Sequence, residues 1–327
     1  MDRGKKPSKF LTNRNNKIYM DLKDIIKEHA LPFLPAKSLL RFQGVSPSFI
    51  SIDPSSCGVP DPSLKFLPEP VDIKASANGL LCCQGIKYKA YYICNPVTKQ
   101  WKELPKSNAD HGPNPSIVLV FEPSLLNFVA DYKVVCAFPS TDFDNATEFE
   151  IYSSTDGSWR VSGEICFATS KLVHSLGAYA DGIVYWQARP HGIVAFDLNK
   201  DRSQLLQGCY GNNAILGTWN GRLCSTYING LSITVRVLSN VYSNTMQMNS
   251  NAKTWREISR FFLNNLVLGG VANEPGLMLF SGENVMLVQI GKTIIYTDMK
   301  GKETKILHSN AEYEMRCISY VNSLVYF

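Results

Sequence analysis

The sequence has no long apolar run. Stretches such as Ile117-Val118-Leu119-Val120-Phe121 fall far short of the ~20 residues that cross a bilayer as a helix, and the basic N-terminus lacks the apolar segment of a secretory signal. A soluble chain of the cytoplasm or nucleus, with no membrane partner, is the expectation. Metal-site spacing is missing too: the five histidines (29, 111, 174, 191 and 308) form no His-x-x-x-His, and the nine cysteines are odd in number without a repeated Cys-x-x-Cys. Neither Gly-x-x-x-x-Gly-Lys-Ser/Thr nor Gly-x-Ser-x-Gly occurs, so no phosphate-cradling loop or nucleophile elbow is signalled. No cofactor and no catalytic residue are expected. The cysteines mostly sit in apolar runs such as Leu80-Leu81-Cys82-Cys83, which suits reduced, buried thiols, and strand alternation places Cys82 and Cys83 on opposite faces.

Charge of one sign is scarce outside the N-terminal tail. Residues 1–17 carry six basic side chains against Asp2; taking these from 33 Lys+Arg and 28 Asp+Glu leaves 27 of each. A neutral body matches a polyanion poorly, so no nucleic-acid partner is expected, and the tail reads as a solvated, disordered segment.

What the chain does contain is divided unevenly. Helical spacing appears from Asp21 to about Ala30, through Leu22, Ile25 and Ile26, and ends at Pro32. A second helix is predicted over Leu34-Pro35-Ala36-Lys37-Ser38-Leu39-Leu40-Arg41-Phe42, with a short third segment from Ser46 to Ile52. Five prolines over residues 53–70 mark a linker. Beyond residue 70 the pattern is short runs of Val, Ile, Tyr and Phe between turn residues, the signature of strands.

Those strands repeat. Asn78-Gly79-Leu80-Leu81-Cys82, Asp181-Gly182-Ile183-Val184-Tyr185 and Asn220-Gly221-Arg222-Leu223-Cys224 share a turn followed by an apolar run, with a weaker copy at Ser281-Gly282. A second motif joins a strand to a return strand through a polar anchor at Asn95, Ser153, Asp197 and Asp298, at intervals of 58, 44 and 101 residues. The last interval holds two repeats, because Lys253-Thr254-Trp255-Arg256 supplies the missing return strand. A period of ~40–55 residues made of two hairpins indicates β-propeller blades, five or six of them over 71–327, with a β-sandwich as the competing fold. The strand Cys317-Ile318-Ser319-Tyr320-Val321 has no complete blade of its own and is expected to close the ring by pairing with the first blade.

Two stretches resemble a known family. Residues Leu34 to Phe42 resemble the core of the F-box motif in its plant form. Ser76-Ala77-Asn78-Gly79-Leu80-Leu81-Cys82-Cys83 followed by Tyr92-Ile93-Cys94-Asn95-Pro96-Val97-Thr98-Lys99-Gln100-Trp101 is similar to the start of the plant F-box-associated, kelch-related domain. The resemblance implies a small all-α F-box module (18–52) followed by an all-β, kelch-like propeller (71–327). It also implies a function: a non-catalytic substrate receptor of an SCF-type, cullin–RING ubiquitin ligase. Its F-box would bind a Skp-type adaptor, and through it cullin, while the propeller captures a protein target. Carried over by position, Leu34, Pro35, Leu39, Leu40, Phe42 and Val45 form the adaptor-facing and packing set. The chain departs from the usual F-box pattern at Ile18-Tyr19, Pro47 and Phe49. On those departures rests the alternative, an interaction protein that binds targets without ubiquitinating them. A propeller enzyme or lectin is a third class without specific support.

Trp101, Trp159 and Trp255 close return strands and are assigned to packing between blades. Trp186, Arg189, His191 and Trp219 adjoin turns and are the candidates for target contact. The loops Ser107 to Pro115, Ser140 to Thr147, Gln187 to Gly192 and Asn240 to Asn251, rich in Asn, Pro, Asp and Ser, are the candidate recognition segments.

Overall fold

The computed structural model describes residues 37–43, 46–51, 63–112, 115–122, 130–167, 171–172, 177–189, 192–208, 214–229, 232–239, 255–262, 276–280, 285–290, 293–298, 304–309 and 316–326. The first of these correct the helical expectation. Lys37–Gln43 is a strand (β1) and Ser46–Ser51 a second (β2), paired antiparallel with Leu40 opposite Phe49. The first predicted helix lies outside the described residues, as do Leu34, Pro35 and Val45. A helical segment this short is marginal without tertiary support. Pro47, which lacks an N–H, is accommodated because β2 is an edge strand.

Five antiparallel sheets follow in sequence order. The first contains β3 (Val71–Ala77), β4 (Leu80–Gly85), β5 (Tyr91–Asn95) and β6 (Gln100–Glu103). The second contains β7 (Ser116–Phe121), β8 (Tyr132–Pro139), β9 (Ala146–Ser153) and β10 (Ser158–Phe167). In the third, β11 (Lys171–Leu172) and β12 (Ala178–Ala180) both pair with β13 (Ile183–Arg189), and β14 (Gly192–Asp197) and β15 (Arg202–Gln207) follow. The fourth is β16 (Ile215–Trp219), β17 (Arg222–Asn229), β18 (Ser232–Leu238) and β19 (Trp255–Phe262). The fifth is β20 (Gly276–Phe280), β21 (Val285–Ile290), β22 (Thr293–Asp298) and β23 (Thr304–Ser309).

The last strand, β24 (Arg316–Val321), pairs with β1, with Leu40 opposite Ile318, so the sixth sheet runs β2-β1-β24. Contacts between inner strands run β3 to β7, β12, β16, β20, β24 and back to β3. The molecule is therefore a closed six-bladed propeller. Closure joins the two ends of the described chain, but β24 pairs with the N-terminal hairpin and not, as expected, with the first blade. The reason is geometric: β24 occupies an inner position of its own, so it packs face to face against β3 and takes its hydrogen bonds from β1.

The repeated motifs acquire backbone meaning here. Asn78-Gly79, Asp181-Gly182 and Asn220-Gly221 all have positive φ at both residues, between 43° and 95°, the requirement of a two-residue type I′ hairpin turn. The anchors Asn95, Ser153 and Asp197 are equivalent as well: each is followed four positions later by a left-handed residue, Lys99, Gly157 or Asp201. Anchor side chains hold the turn, since Asn95 Oδ1 accepts from the Val97 amide at 3.0 Å and Asp197 Oδ1 from the Asn199 amide at 3.0 Å.

Strand alternation distributes side chains to the two neighbours of each blade. On β7, Ile117, Leu119 and Phe121 pack toward the first blade, and Val118 and Val120 toward the third. On β4, Cys82 faces the second blade and Cys83 faces β24, so the two thiols do point to opposite sides. Strands buried on both faces read as continuous apolar runs, as in β4 and β5, whereas every residue of the outer β6 is exposed. That exposure corrects the assignment of Trp101 to packing between blades: it is 40% exposed at the periphery. Trp159 and Trp255 keep that role. Trp159 Nε1 donates to the Pro105 carbonyl (2.7 Å) just beyond β6, and Trp255 Nε1 donates to the Gln207 carbonyl (3.1 Å) at the end of β15, each tying an outer strand to the preceding blade.

After β24 the chain crosses beneath the first blade. Asn95 Nδ2 donates to the carbonyls of Ser323 (2.9 Å) and Val325 (2.8 Å), and the Ala130 amide donates to the Tyr326 carbonyl at 2.8 Å. Gly79 lies so close that a Cβ there would meet Ser323. Removing the amide in Asn95→Ala orphans two carbonyls of this strap, which costs about 2–3 kcal/mol. Thermal unfolding should begin roughly 5–10 °C lower than in the parent; an unchanged melting temperature would show that the strap carries no closing energy.

Candidate functional site

Six inner strands converge on one axis, where small side chains are prominent beside larger ones such as Leu119, Tyr179 and Ile318. Ala75, Ser76 and Ala77 of β3, Gly177 and Ala178 beside β12, and Gly217 and Thr218 of β16 line a cavity of about 410 Å³ that reaches the Asn78, Asp181 and Gly221 turns. Glu122 and Asp181 are the charged groups in its lining, both acidic. Burial, followed by its hydrogen bond to Glu122, pushes the Tyr179 hydroxyl up to about 12. The described lining contains hydroxyls and carboxylates. Among the described residues no three His, Cys, Asp or Glu side chains gather as a metal site.

A second cavity, also about 410 Å³, opens on the fourth blade and is lined by Trp219, Arg222, Val237, Ser239, Arg256 and Ile258. Register explains the grouping. Trp219 pairs with Arg222 across the I′ turn and Val237 pairs with Arg256, and directly opposed residues share a face of the sheet. The neighbouring positions Leu223, Leu238 and Trp255 point the other way, into the core shared with the third blade.

One candidate recognition loop is withdrawn into the structure. Over residues 107–112 the chain is fastened to the second blade by Glu150, a buried carboxylate on β9. Glu150 Oε1 accepts from the Asn108 amide (2.8 Å), and Oε2 accepts from the Ala109 amide (3.2 Å) and from His111 Nε2 (2.7 Å). His111 Nδ1 lies 3.1 Å from the Tyr91 hydroxyl of the first blade. Burial alone would raise the Glu150 pKa, but the His111 bond and the two amides outweigh it and hold the carboxyl below its ordinary value. Sequence reading missed this cluster because a lone glutamate in Glu148-Phe149-Glu150 carries no sign of a partner some forty residues away.

Of the four residues predicted to contact a target, Trp186 and Trp219 lie on different blades and do not come together. Trp186 is fully buried and packs on Phe149 between the second and third blades, with ring centroids 5.7 Å apart, so it is core and not rim. The reason is register: it sits mid-strand on β13, opposite Val194, with apolar neighbours on both sides. Arg189 ends β13, His191 lies outside the described residues, and Trp219 lies on the fourth blade. The loop at 140–145 does expose an aromatic pair that the sequence did not single out: Phe143 (48% exposed) meets Phe167 (55%) edge to face at 5.5 Å. Asn240 to Asn251 lies outside the described residues.

With this geometry in hand, comparison with known proteins decides the family. A family model described as "F-box protein At3g26010-like, beta-propeller" matches residues 59–322. The chain belongs to this family of plant F-box propeller proteins. Curated relatives from Arabidopsis thaliana agree. F-box protein At5g49610 is 48% identical over 63 residues (19% of this chain, 17% of the relative), and F-box protein At5g03970 is 33% identical over 135 residues (40% and 31%). F-box protein At5g07610 is 26% identical over 246 residues (58% and 57%). The chain thus spans from under a fifth to somewhat over half of the length of these relatives.

In this F-box propeller the Glu150 cluster is also the point at which pH should act. A carboxyl held below its ordinary value in the fold contributes stability that is complete above the unfolded pKa and is lost as pH falls through the folded one. Glu150→Gln should lower stability by about 2–4 kcal/mol at neutral pH, with a gap to the parent that narrows below about pH 4. Denaturant melts at pH 7 and pH 3.5 check this, and a gap that does not depend on pH would exclude the ionised carboxylate as its cause.

Proposed function

We propose that the chain is the target-binding, non-catalytic subunit of an SCF-type ubiquitin ligase, acting in the cytoplasm or nucleus. Membership of an F-box propeller family carries the reading. The fold supports the target-binding half of it: a closed ring presents hairpin turns and an exposed aromatic pair. In this reading the stretch holding Leu34, Pro35, Leu39, Leu40, Phe42 and Val45 docks on a Skp-type adaptor, and through it on cullin.

A specific observation favours the second reading, a propeller that binds targets without recruiting the adaptor. Leu39, Leu40 and Phe42 lie on β1, whose backbone is hydrogen-bonded to β24 and β2 as part of the sixth blade. A segment engaged in closing the ring is not free to present a helix to a partner.

One experiment separates the two. The full chain and its Leu40→Asp variant are each co-expressed with a Skp-type adaptor, passed over a size-exclusion column and melted. The ligase reading expects the parent to co-elute with adaptor and Leu40→Asp to weaken that association about tenfold or more at an unchanged melting temperature. The second reading expects no co-elution of the parent and a lowered melting temperature for Leu40→Asp, because a charge then enters the closing sheet.

A further inference from the structure

We propose that the cavity on the fourth blade is an anion-recognition site that binds a phosphorylated or carboxylate side chain on an extended segment of the protein target. This rests on the reading of the propeller as a target-binding module and assigns to one place the chemistry of what it captures.

The argument begins with charge accounting on this blade. Among its arginines, Arg260 bonds to Glu257 at 2.8 Å and Arg236 approaches the same carboxylate at 3.9 Å. Arg222 and Arg256, by contrast, are exposed, line the cavity and have no acidic partner among the described residues; the described lining contains no carboxylate. Two guanidiniums on one wall give it a positive potential that an anion would match. Guanidinium groups are also the side chains best suited to clasp phosphate or carboxylate, through planar pairs of N–H donors.

The rest of the lining adds selectivity. Trp219 supplies an apolar wall and Ser239 a hydroxyl that donates or accepts, while Val237 and Ile258 suit the aliphatic stem of a bound residue. A concavity of about 410 Å³ accommodates a side chain with its flanking backbone rather than a whole folded domain. Construction is firm, because Trp219 and Arg222 flank a type I′ turn whose two central residues, Asn220 and Gly221, have φ of 48° and 71°. A defined backbone at Arg222 limits part of the ordering cost of binding. The central channel offers the opposite potential, with Glu122 and Asp181 in its lining, so an anionic segment is directed to the blade and away from the axis. A protein segment is favoured over nucleic acid because the chain outside the N-terminal tail has balanced charge.

The test uses the full chain and three fluorescent nine-residue Gly/Ala peptides that differ only at the centre: phosphoserine, glutamate or serine. Fluorescence anisotropy at 50 and 200 mM NaCl should show the phosphoserine or glutamate peptide binding about tenfold more tightly than serine, with the preference reduced at high salt. The better of the two anionic peptides identifies the source of the charge. Arg222→Gln and Arg256→Gln should each reduce the preference about tenfold at an unchanged melting temperature. Arg202→Gln, on the third blade and paired with Glu164, serves as the control and should leave it intact. Equal binding of all three peptides, an anion preference that survives both variants, or a single-stranded RNA hexamer displacing the peptide at lower concentration than its unlabelled form would each overturn the proposal. No adaptor is present in this assay, so its outcome is independent of whether the chain joins a ligase.

Discussion

Ring closure is the constraint on which the rest of the molecule depends. The first three blades are each covered on two faces by their neighbours, and a ring broken at such a junction would expose two apolar sheet faces to water. The seam at risk is where the two ends of the described chain meet, with β24 set between β1 and the first blade. It is sealed three ways. Ile318 and Tyr320 enter the core shared with Ile73, Leu81 and Tyr92; β24 takes its hydrogen bonds from β1; and Asn95 grips the strap at Ser323 and Val325. Asn95 is fully used in doing so, with its oxygen on the Val97 amide and its amide hydrogens on two carbonyls.

The same logic of satisfying buried polar groups recurs within the first blade and at blade junctions. Glu69, ahead of β3, accepts from the Lys87 amide (2.7 Å), the Tyr88 amide (3.2 Å) and the Tyr92 hydroxyl (3.0 Å), and a Cβ on Gly85 would collide with its carboxylate. Glu150 does comparable work between the first and second blades. Trp159 and Trp255 do it with indole N–H groups on the carbonyls of preceding blades. These contacts add directional constraints to an otherwise non-directional apolar core, so neighbouring blades hold one angle and the channel keeps its shape. Burial pushes the thiols of Cys82 and Cys224 up to about 12, which keeps them unreactive packing groups, whereas the Cys166 thiol of β10 bonds across to Ser203 of β15.

Closure also bears on function, because it engages residues that the F-box resemblance assigns to an adaptor. Lys37 to Gln43 is a strand in the sixth blade, and the family match begins at residue 59, after that segment. In the proposed ligase reading, adaptor binding and completion of the ring compete for the same backbone. The Phe143 and Phe167 pair and the arginine-lined cavity on the fourth blade sit on blades completed within the chain, whereas the acidic axis is lined in part by Ile318, Ser319 and Val321 of β24.

The sequence by itself determined the propeller class and the repeat. Turn chemistry is local: Asn-Gly and Asp-Gly favour positive φ wherever they occur, and the anchors at Asn95, Ser153 and Asp197 each precede a left-handed residue by four positions. Alternation likewise separated Cys82 from Cys83, because strand geometry is a property of the backbone. What only the tertiary structure decided were matters of neighbourhood. Whether Lys37 to Gln43 coils or extends depends on the pairing edge of β24, nearly three hundred residues away. Trp186 is core while Trp101 is exposed because one lies on an inner-layer strand flanked by two blades and the other on an outermost strand. The convergence of Arg222 and Arg256 on one cavity follows from strand register across β17, β18 and β19, which no spacing along the chain expresses.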